Sequence, residues 1–321
     1  MTLTRPFRFI APMPTLDRSP GEWRDAVRRI EADGYSTVAI SDHVTRGWAM
    51  EPLVAMLAAA DATTTLRVMS MVLANDYRHP ALVHRAIATI DVLSGGRVEL
   101  GLGAGWLPDD YAALGIPLDP PATRIRRLDE AVRLIKRLFE ATGPVSVDGT
   151  HYRGTGLEGL PGPVQRPRPP ILVGGGGRAV LSLAGREADI AGVNAALVRG
   201  SGRREGVVGL TATATAEKVA WVRDAAREAN RGAEEPELQV SVLHTHIADS
   251  PSEARAALDR LRQDVELPSE VVDASPSVLI GSVDHCCELL LERRERYGFS
   301  YIKLGPDPAT CAPIVARLAG S

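Results

Sequence analysis

Three stretches carry residue types that chemistry needs. Ser94-Gly95-Gly96-Arg97-Val98-Glu99-Leu100-Gly101-Leu102-Gly103-Ala104-Gly105-Trp106 sets a short strand in front of a run of glycines. Without Cβ atoms, those positions suit either a tight strand-to-helix turn or a backbone surface against which a flat ligand lies. Gly174-Gly175-Gly176-Gly177 stands between the apolar Ile171-Leu172-Val173 and a helix opening at Arg178. Successive N–H groups at a helix start, free of side chains, form an anion cradle suited to a phosphate; the alternative is a loop kept flexible for packing. Asp42-His43 joins a carboxylate to the side chain best able to exchange a proton near neutral pH. A helix cap beside a structural histidine explains the same pair.

Other candidates are weaker. Tyr77 and Trp106 stand at strand ends in a chain with 4% aromatic residues, able to wall a planar ligand or simply to pack. His79 precedes Pro80 and reads as the start of a helix, and His84 as a packing or surface residue. His244 and His246 alternate along a strand, so both point into the core or both away from it. Neither these nor Cys286, Cys287 and Cys311 have metal-ligand spacing, and no metal is expected.

Eight strand-then-helix units position these residues. Strands are predicted at 7–11, 36–40, 66–73, 97–101, 171–173, 189–193, 238–246 and 299–304, and the sixth ends at Asn194. The helix after the first strand shows the period clearly: Trp23, Ala26, Val27 and Ile30 fall on one face, with Ser19 or a neighbour as cap and Gly34 as stop. Apolar runs such as 66–73 fit parallel strands covered on both faces. The sum is an α/β chain folded as a (β/α)8 TIM barrel, one domain over residues 1–321, with insertions after strands 4, 6 and 7. The insertions are 144–170, a short hairpin, then 199–209, a mobile segment with little to bury, and 268–281; all three are expected to shape and lid a pocket. A doubly wound sheet competes less well, because neither glycine-rich turn is a GxGxxG with an acidic residue about 20 positions on. In a barrel, the residues just past each strand gather on one rim, which brings Asp42, His43, Ser70 to Asn75, Gly103 to Trp106, the four glycines, Asn194 and His244 or His246 together.

Composition narrows the partners. A net charge of -3 gives no reason to expect nucleic acid or an anionic membrane, and a small molecule is the expected partner. No run of about 18 apolar residues and no apolar leader is seen, so a soluble cytoplasmic protein is expected. Of 37 basic residues only Lys136, Lys218 and Lys303 are lysine, a bias more often set by a GC-rich genome than by a binding surface.

Gly96 to Trp106, preceded by Tyr77-Arg78-His79-Pro80 and Asp91 to Gly95, resembles the bacterial luciferase-like monooxygenase superfamily. Ser41-Asp42-His43, Gly174 to Gly177 with Ala184-Gly185 and Ala188-Asp189, Ile280-Gly281-Ser282 and Tyr297-Gly298 extend the likeness over nearly the whole chain. It is similar above all to the branch that uses the deazaflavin coenzyme F420, with FMN as the alternative cofactor.

The resemblance implies a barrel, as a homodimer, with the cofactor on its carboxyl rim. Gly175, Gly176, Gly177 and Arg178 would hold its phosphate, and Gly103, Ala104 and Gly105 would lie beside its rings. A non-prolyl cis peptide at about Ser70–Met71 would buttress the ring middle, and Asp42 would face it. His43, with Asp42, would supply or take the proton that accompanies hydride transfer, while Tyr77, Trp106 and Asn194 would line the substrate pocket. The acidic position downstream of the tryptophan is Asp109 or Asp110, with Asp110 the better match. Trp106 stands where the sugar-phosphate dehydrogenases of this family have Glu, which argues against glucose 6-phosphate as substrate. The second reading is an FMN-dependent monooxygenase, whose pocket must keep water from reduced flavin and oxygen. The third is a barrel without activity, kept for binding.

Overall fold

The structure, a computed structural model, describes residues 5–196, 203–232 and 235–321. Eight parallel strand positions close into a barrel: β1 (Arg8–Pro12), β2 (Thr37–Ile40), β3 (Arg67–Ser70) continued by the short β4 (Leu73–Ala74), β5 (Val98–Gly103), β8 (Ile171–Gly175), β9 (Ile190–Val193), β10 (Glu237–Ser241) and β13 (Phe299–Lys303). The pairing of β3 with β5 completes the ring. Each strand alternates between two cores, as a period of two requires. Ile10, Ala39, Met69, Leu172, Ile190 and Tyr301 fill the barrel, whereas Phe9, Val38, Val68, Leu100, Val173, Ala191, Val240 and Ile302 pack outward against helices.

The helical layer consists of α1 (Pro20–Ala32), α2 (Pro52–Ala62), α3 (Pro80–Ser94), α4 (Pro108–Leu114), α5 (Pro121–Phe139), α6 (Arg178–Glu187), α7 (Arg203–Val208), α8 (Ala212–Glu228), α9 (Pro251–Val265), α10 (Ser269–Asp273), α11 (Val283–Tyr297) and α12 (Pro308–Leu318). Ser19 caps α1 in a reciprocal box with Glu22, and His79 caps α3 by accepting from the Ala81 N–H (3.2 Å). No helix among the described residues is long and apolar enough to cross a membrane.

The insertions depart from expectation in instructive ways. The stretch 144–170 does contain a hairpin, β6 (Val145–Asp148) and β7 (Arg153–Leu157), but it packs on Leu134 and Leu138 of α5. Its Tyr152 hydroxyl accepts from the Asn75 side chain (3.0 Å), so the hairpin braces the loop after strand three from outside. In the segment expected to have little to bury, residues 199–202 lie outside the described residues. The rest is α7, whose fully buried Val207 packs with Ala257, Leu261 and Val272. The seventh strand ends at Ser241, and His244 and His246 sit instead on β11 (His244–Ile247), which pairs with β12 (Val278–Gly281) as a separate two-stranded sheet. The pair is therefore not on a barrel strand, although Thr245 between them packs against Gly305 just past β13.

A charged plug seals the amino end of the barrel. Glu99 is buried between Arg8 (2.7 Å) and Arg67 (2.8 Å), and receives the Tyr301 hydroxyl (2.7 Å), while Arg8 reaches on to Glu237 (2.5 Å). Burial alone would raise the Glu99 carboxyl, yet the two guanidinium groups outweigh it and hold the pKa below the usual carboxylate range. The opposite, carboxyl end is left for the site.

Candidate functional site

His43 follows β2 and is held by Asp110 of α4. Its Nδ1 lies 2.6 Å from Asp110 Oδ2. Four further donors reach the same buried carboxylate: the N–H groups of Val44 (3.3 Å) and Thr45 (3.1 Å), the Thr45 hydroxyl (2.5 Å) and the Tyr77 hydroxyl (3.2 Å). Burial works against ionisation of Asp110, but these hydrogen bonds, the Thr45 hydroxyl foremost, bring its pKa below normal. A carboxylate so held accepts the hydrogen bond of Nδ1–H and leaves His43 Nε2 for chemistry. Trp48 and Trp106 flank the imidazole, with ring centroids 5.3 and 5.9 Å away.

Asp42 has a different position. Its carboxylate accepts from Arg78 (2.6 and 3.2 Å) and from the Ala74 N–H (3.0 Å), which ties β2 to the loop after strand three. Every oxygen of Asp42 is thus engaged by the fold. Ser70 is likewise occupied: its hydroxyl bridges the carbonyl and N–H of Gly101, both at 2.9 Å. Because Ser70 still pairs with Ile40 in the ladder, the strand stays regular through that residue. The cis peptide bond accordingly falls at Met71–Val72, one residue later than Ser70–Met71. The Ser41 hydroxyl donates to the Met71 carbonyl (3.1 Å) and fixes the bulge.

The glycines of β5 are explained by this bulge. A Cβ at Gly101 would strike the Ser70 carbonyl, and one at Gly103 would come within 2.6 Å of the Val72 side chain. At Gly105, with φ +74°, it would meet the Tyr111 hydroxyl. What comes close to these glycines is the protein itself. Ala104, between them, gives its carbonyl to Arg124 (3.1 Å). Val72 also lies beside Gly174, so the bulge spans the ends of the neighbouring strands β5 and β8.

The four-glycine turn divides similarly. A Cβ on Gly175 would collide with Val180, and one on Gly176 with the backbone of Ala195 and Ala196. Gly177 alone faces open space. It caps α6 with no side-chain hydrogen bond, and the first turn of that helix holds no acidic residue. Arg178 is exposed, without a partner among the described residues, at the positive end of the helix dipole. A cation there gains nothing from the helix and would gain from an anion, which fits a phosphate group at Gly177. Asn194 points its amide toward Gly174 and Gly192 inside the barrel. Its carbonyl accepts from Lys218 (2.8 Å), which also reaches Gly209 O (2.6 Å); burial lowers the lysine pKa to about 8.

The site thus brings together His43, Tyr77, Trp106 and the Met71–Val72 bulge on one side of the rim, and Gly177, Arg178 and Asn194 further round it. Sequence reasoning passed over Arg78, Thr45 and Trp48. The adjacency of Thr45 and Trp48 to Asp42-His43 was the available signal, whereas nothing short of the fold pairs Arg78 with Asp42.

A closed parallel barrel with a His–Asp pair and a glycine turn at a helix start on its carboxyl rim is an α/β enzyme architecture. Residues 6–295 match the sequence model of the luciferase-like monooxygenase family, and the chain belongs to that family. It is 35% identical over 144 residues to the 4-hydroxyprotoasukamycin monooxygenase of Streptomyces nodosus subsp. asukaensis, covering 43% of this chain and 38% of that protein. The FMNH(2)-dependent dimethylsulfone monooxygenase of Pseudomonas putida is 34% identical over 40% of this chain and 35% of its own length. The F420-dependent glucose-6-phosphate dehydrogenase of Beutenbergia cavernae is 36% identical over 50% and 48%. The chain therefore spans less than half the length of these curated relatives. A solved F420-dependent secondary alcohol dehydrogenase shares the fold at a TM-score of 0.77, with 17% identity over 98% of both chains.

Proposed function

We propose that this protein is a deazaflavin-dependent oxidoreductase, using coenzyme F420 to move hydride to or from a small or medium organic substrate. The observation that carries the reading is the His43–Asp110 pair set beside the Met71–Val72 bulge, on the same rim as the uncapped turn at Gly177. When bound, the cofactor supplies a two-electron hydride at a ring carbon. Gly177 and Arg178 would hold its phosphate, and Met71 and Val72 would support its rings. Asp42 and Arg78 keep that support in place. His43 delivers or removes the matching proton at Nε2 while Asp110 stabilises the imidazolium, and Tyr77 and Trp106 border the substrate.

The alternative, an FMN-dependent monooxygenase, needs a site that excludes water. The barrel mouth here presents Asn194, Gln239 and Ser241 on its inward face, polar groups that suit hydride and proton transfer better. Separate titrations of the purified protein with the two cofactors, followed by fluorescence quenching, test the assignment. Tight binding of FMN with none of the deazaflavin would reverse it.

A homodimer belongs to the same proposal. Helix α2 is apolar all round apart from Asp61, and Val54, Leu82 and Leu93 on α2 and α3 are 63–68% exposed. A helix of that kind calls for a covering surface. Light scattering at the monomer mass would remove this part.

A further inference from the structure

Only three lysines occur in this arginine-rich chain, and one of them, Lys303, has no stated work in the fold. It is the last residue of β13. Tyr301, two residues earlier, fills the barrel interior, and Ile302 packs outward. By strand alternation Lys303 therefore points inward, one layer closer to the carboxyl rim. No hydrogen bond or ion pair of its ammonium is found among the described residues, and burial alone lowers its pKa.

Its neighbour in register on β10 is Ser241, which shares the inward face with Gln239. The Gln239 amide donates to Ser241 Oγ (3.2 Å), which leaves the serine proton to be given elsewhere. Gly174 and Gly192 hold side-chain volume away from the same space, and the Asn194 amide borders it. Counted around the ring of eight, β10 and β13 stand opposite the β3–β4 bulge and β5. A planar ring resting on the bulge would turn its free face toward Ser241 and Lys303. This placement uses the cofactor reading given above; the pairing of Lys303 with Ser241 does not.

A half-buried ammonium at the barrel mouth without a protein partner among the described residues is costly, and it is stabilised most by an anionic oxygen that also accepts a second hydrogen bond. We propose that Lys303 and Ser241 anchor a carboxylate of the substrate, so that the enzyme acts on organic acids and distinguishes them from neutral molecules of the same shape. The two donors hold the acid two and three strands round the rim from His43.

Benzoate and its neutral counterpart benzamide test the anchor by calorimetry on the full-length protein, with and without cofactor. The wild-type protein is expected to bind benzoate about tenfold or more tightly than benzamide, the range of a hydrogen bond to a charged group. Lys303→Met should remove that preference and leave benzamide affinity within about twofold, and Ser241→Ala should reduce it partway. Benzoate that binds the wild-type protein no better than benzamide overturns the proposal, whatever the variants do. So does a preference that survives in a folded Lys303→Met. A protein that prefers benzoate yet binds neither cofactor sinks the oxidoreductase reading and leaves the carboxylate anchor standing.

Discussion

His43 Nδ1 lies 2.6 Å from Oδ2 of Asp110, although the two residues are 67 positions apart and come from different strand-helix units. The contact fixes which imidazole nitrogen carries the proton and which is available to a substrate. His43→Ala should leave affinity for the cofactor within a few-fold and lower turnover by about a hundredfold or more. Asp110→Asn keeps the shape but offers no carboxylate, and should lose turnover on the same scale without loss of cofactor affinity. Steady-state kinetics on whichever substrate a panel of acids, carbonyls and alkenes identifies will decide; full turnover in either variant removes the pair from the mechanism.

Glu99 makes the opposite kind of prediction, one about stability alone. Its carboxylate is shared by two arginines and a tyrosine at the closed end of the barrel. Glu99→Gln leaves Arg8 and Arg67 with less compensation and should cost about 3–5 kcal/mol, read by chemical denaturation. The native pKa of Glu99 is depressed, so its contribution is present above the unfolded carboxylate range. It is lost as pH falls through the native value. Cofactor affinity measured where the variant is still folded should be unchanged.

The barrel was legible in the sequence because its strands are apolar runs and its helices repeat at 3.6 residues, both local signals. Asp42-His43 and the glycine turn were legible for the same reason. The division of labour among them was not. Asp42 reads like a partner of its neighbour His43, yet its carboxylate turns to Arg78 and Ala74, and His43 finds Asp110 instead. Gly103 and Gly105 read like room for a ligand, and a Cβ there would meet Val72 and the Tyr111 hydroxyl. Except for the last, those contacts join segments distant in sequence, and the alternation of one strand cannot reveal what the next strand brings to it.

His84 supplies a pH test that touches no part of the site. It is buried on α3 with its ring 4.7 Å from Phe139, and its Nε2 has no hydrogen-bond partner among the described residues. Desolvation lowers its pKa from 6.5 to about 4. The unfolded chain therefore binds a proton between those values that the folded protein refuses, and stability falls as pH drops from about 6.5 toward 4. His84→Leu removes this term. The difference in melting temperature between pH 7 and pH 5 should shrink in the variant by about 1.5–3 °C, the equivalent of about 1–2 kcal/mol. An equal pH dependence in both proteins refutes the assignment.

Gly176 and Gly177 separate the structural use of glycine from the binding use. A methyl group on Gly176 would meet the backbone of Ala195 and Ala196, which cannot yield as a flexible side chain would. Gly176→Ala should therefore destabilise the fold by about 1–3 kcal/mol, as overpacking does, and weaken cofactor binding only as a consequence. Gly177 has φ −99° and ψ 157°, a conformation open to alanine, and nothing within 4 Å of a Cβ. Gly177→Ala should leave the melting temperature nearly unchanged while its methyl enters the space reserved for a phosphate. Together with Arg178→Ala, it is expected to weaken cofactor binding about tenfold or more at unchanged stability. If both variants bind the cofactor as the wild type does, the anion is held elsewhere on the rim, and the uncapped start of α6 has no part in recognition.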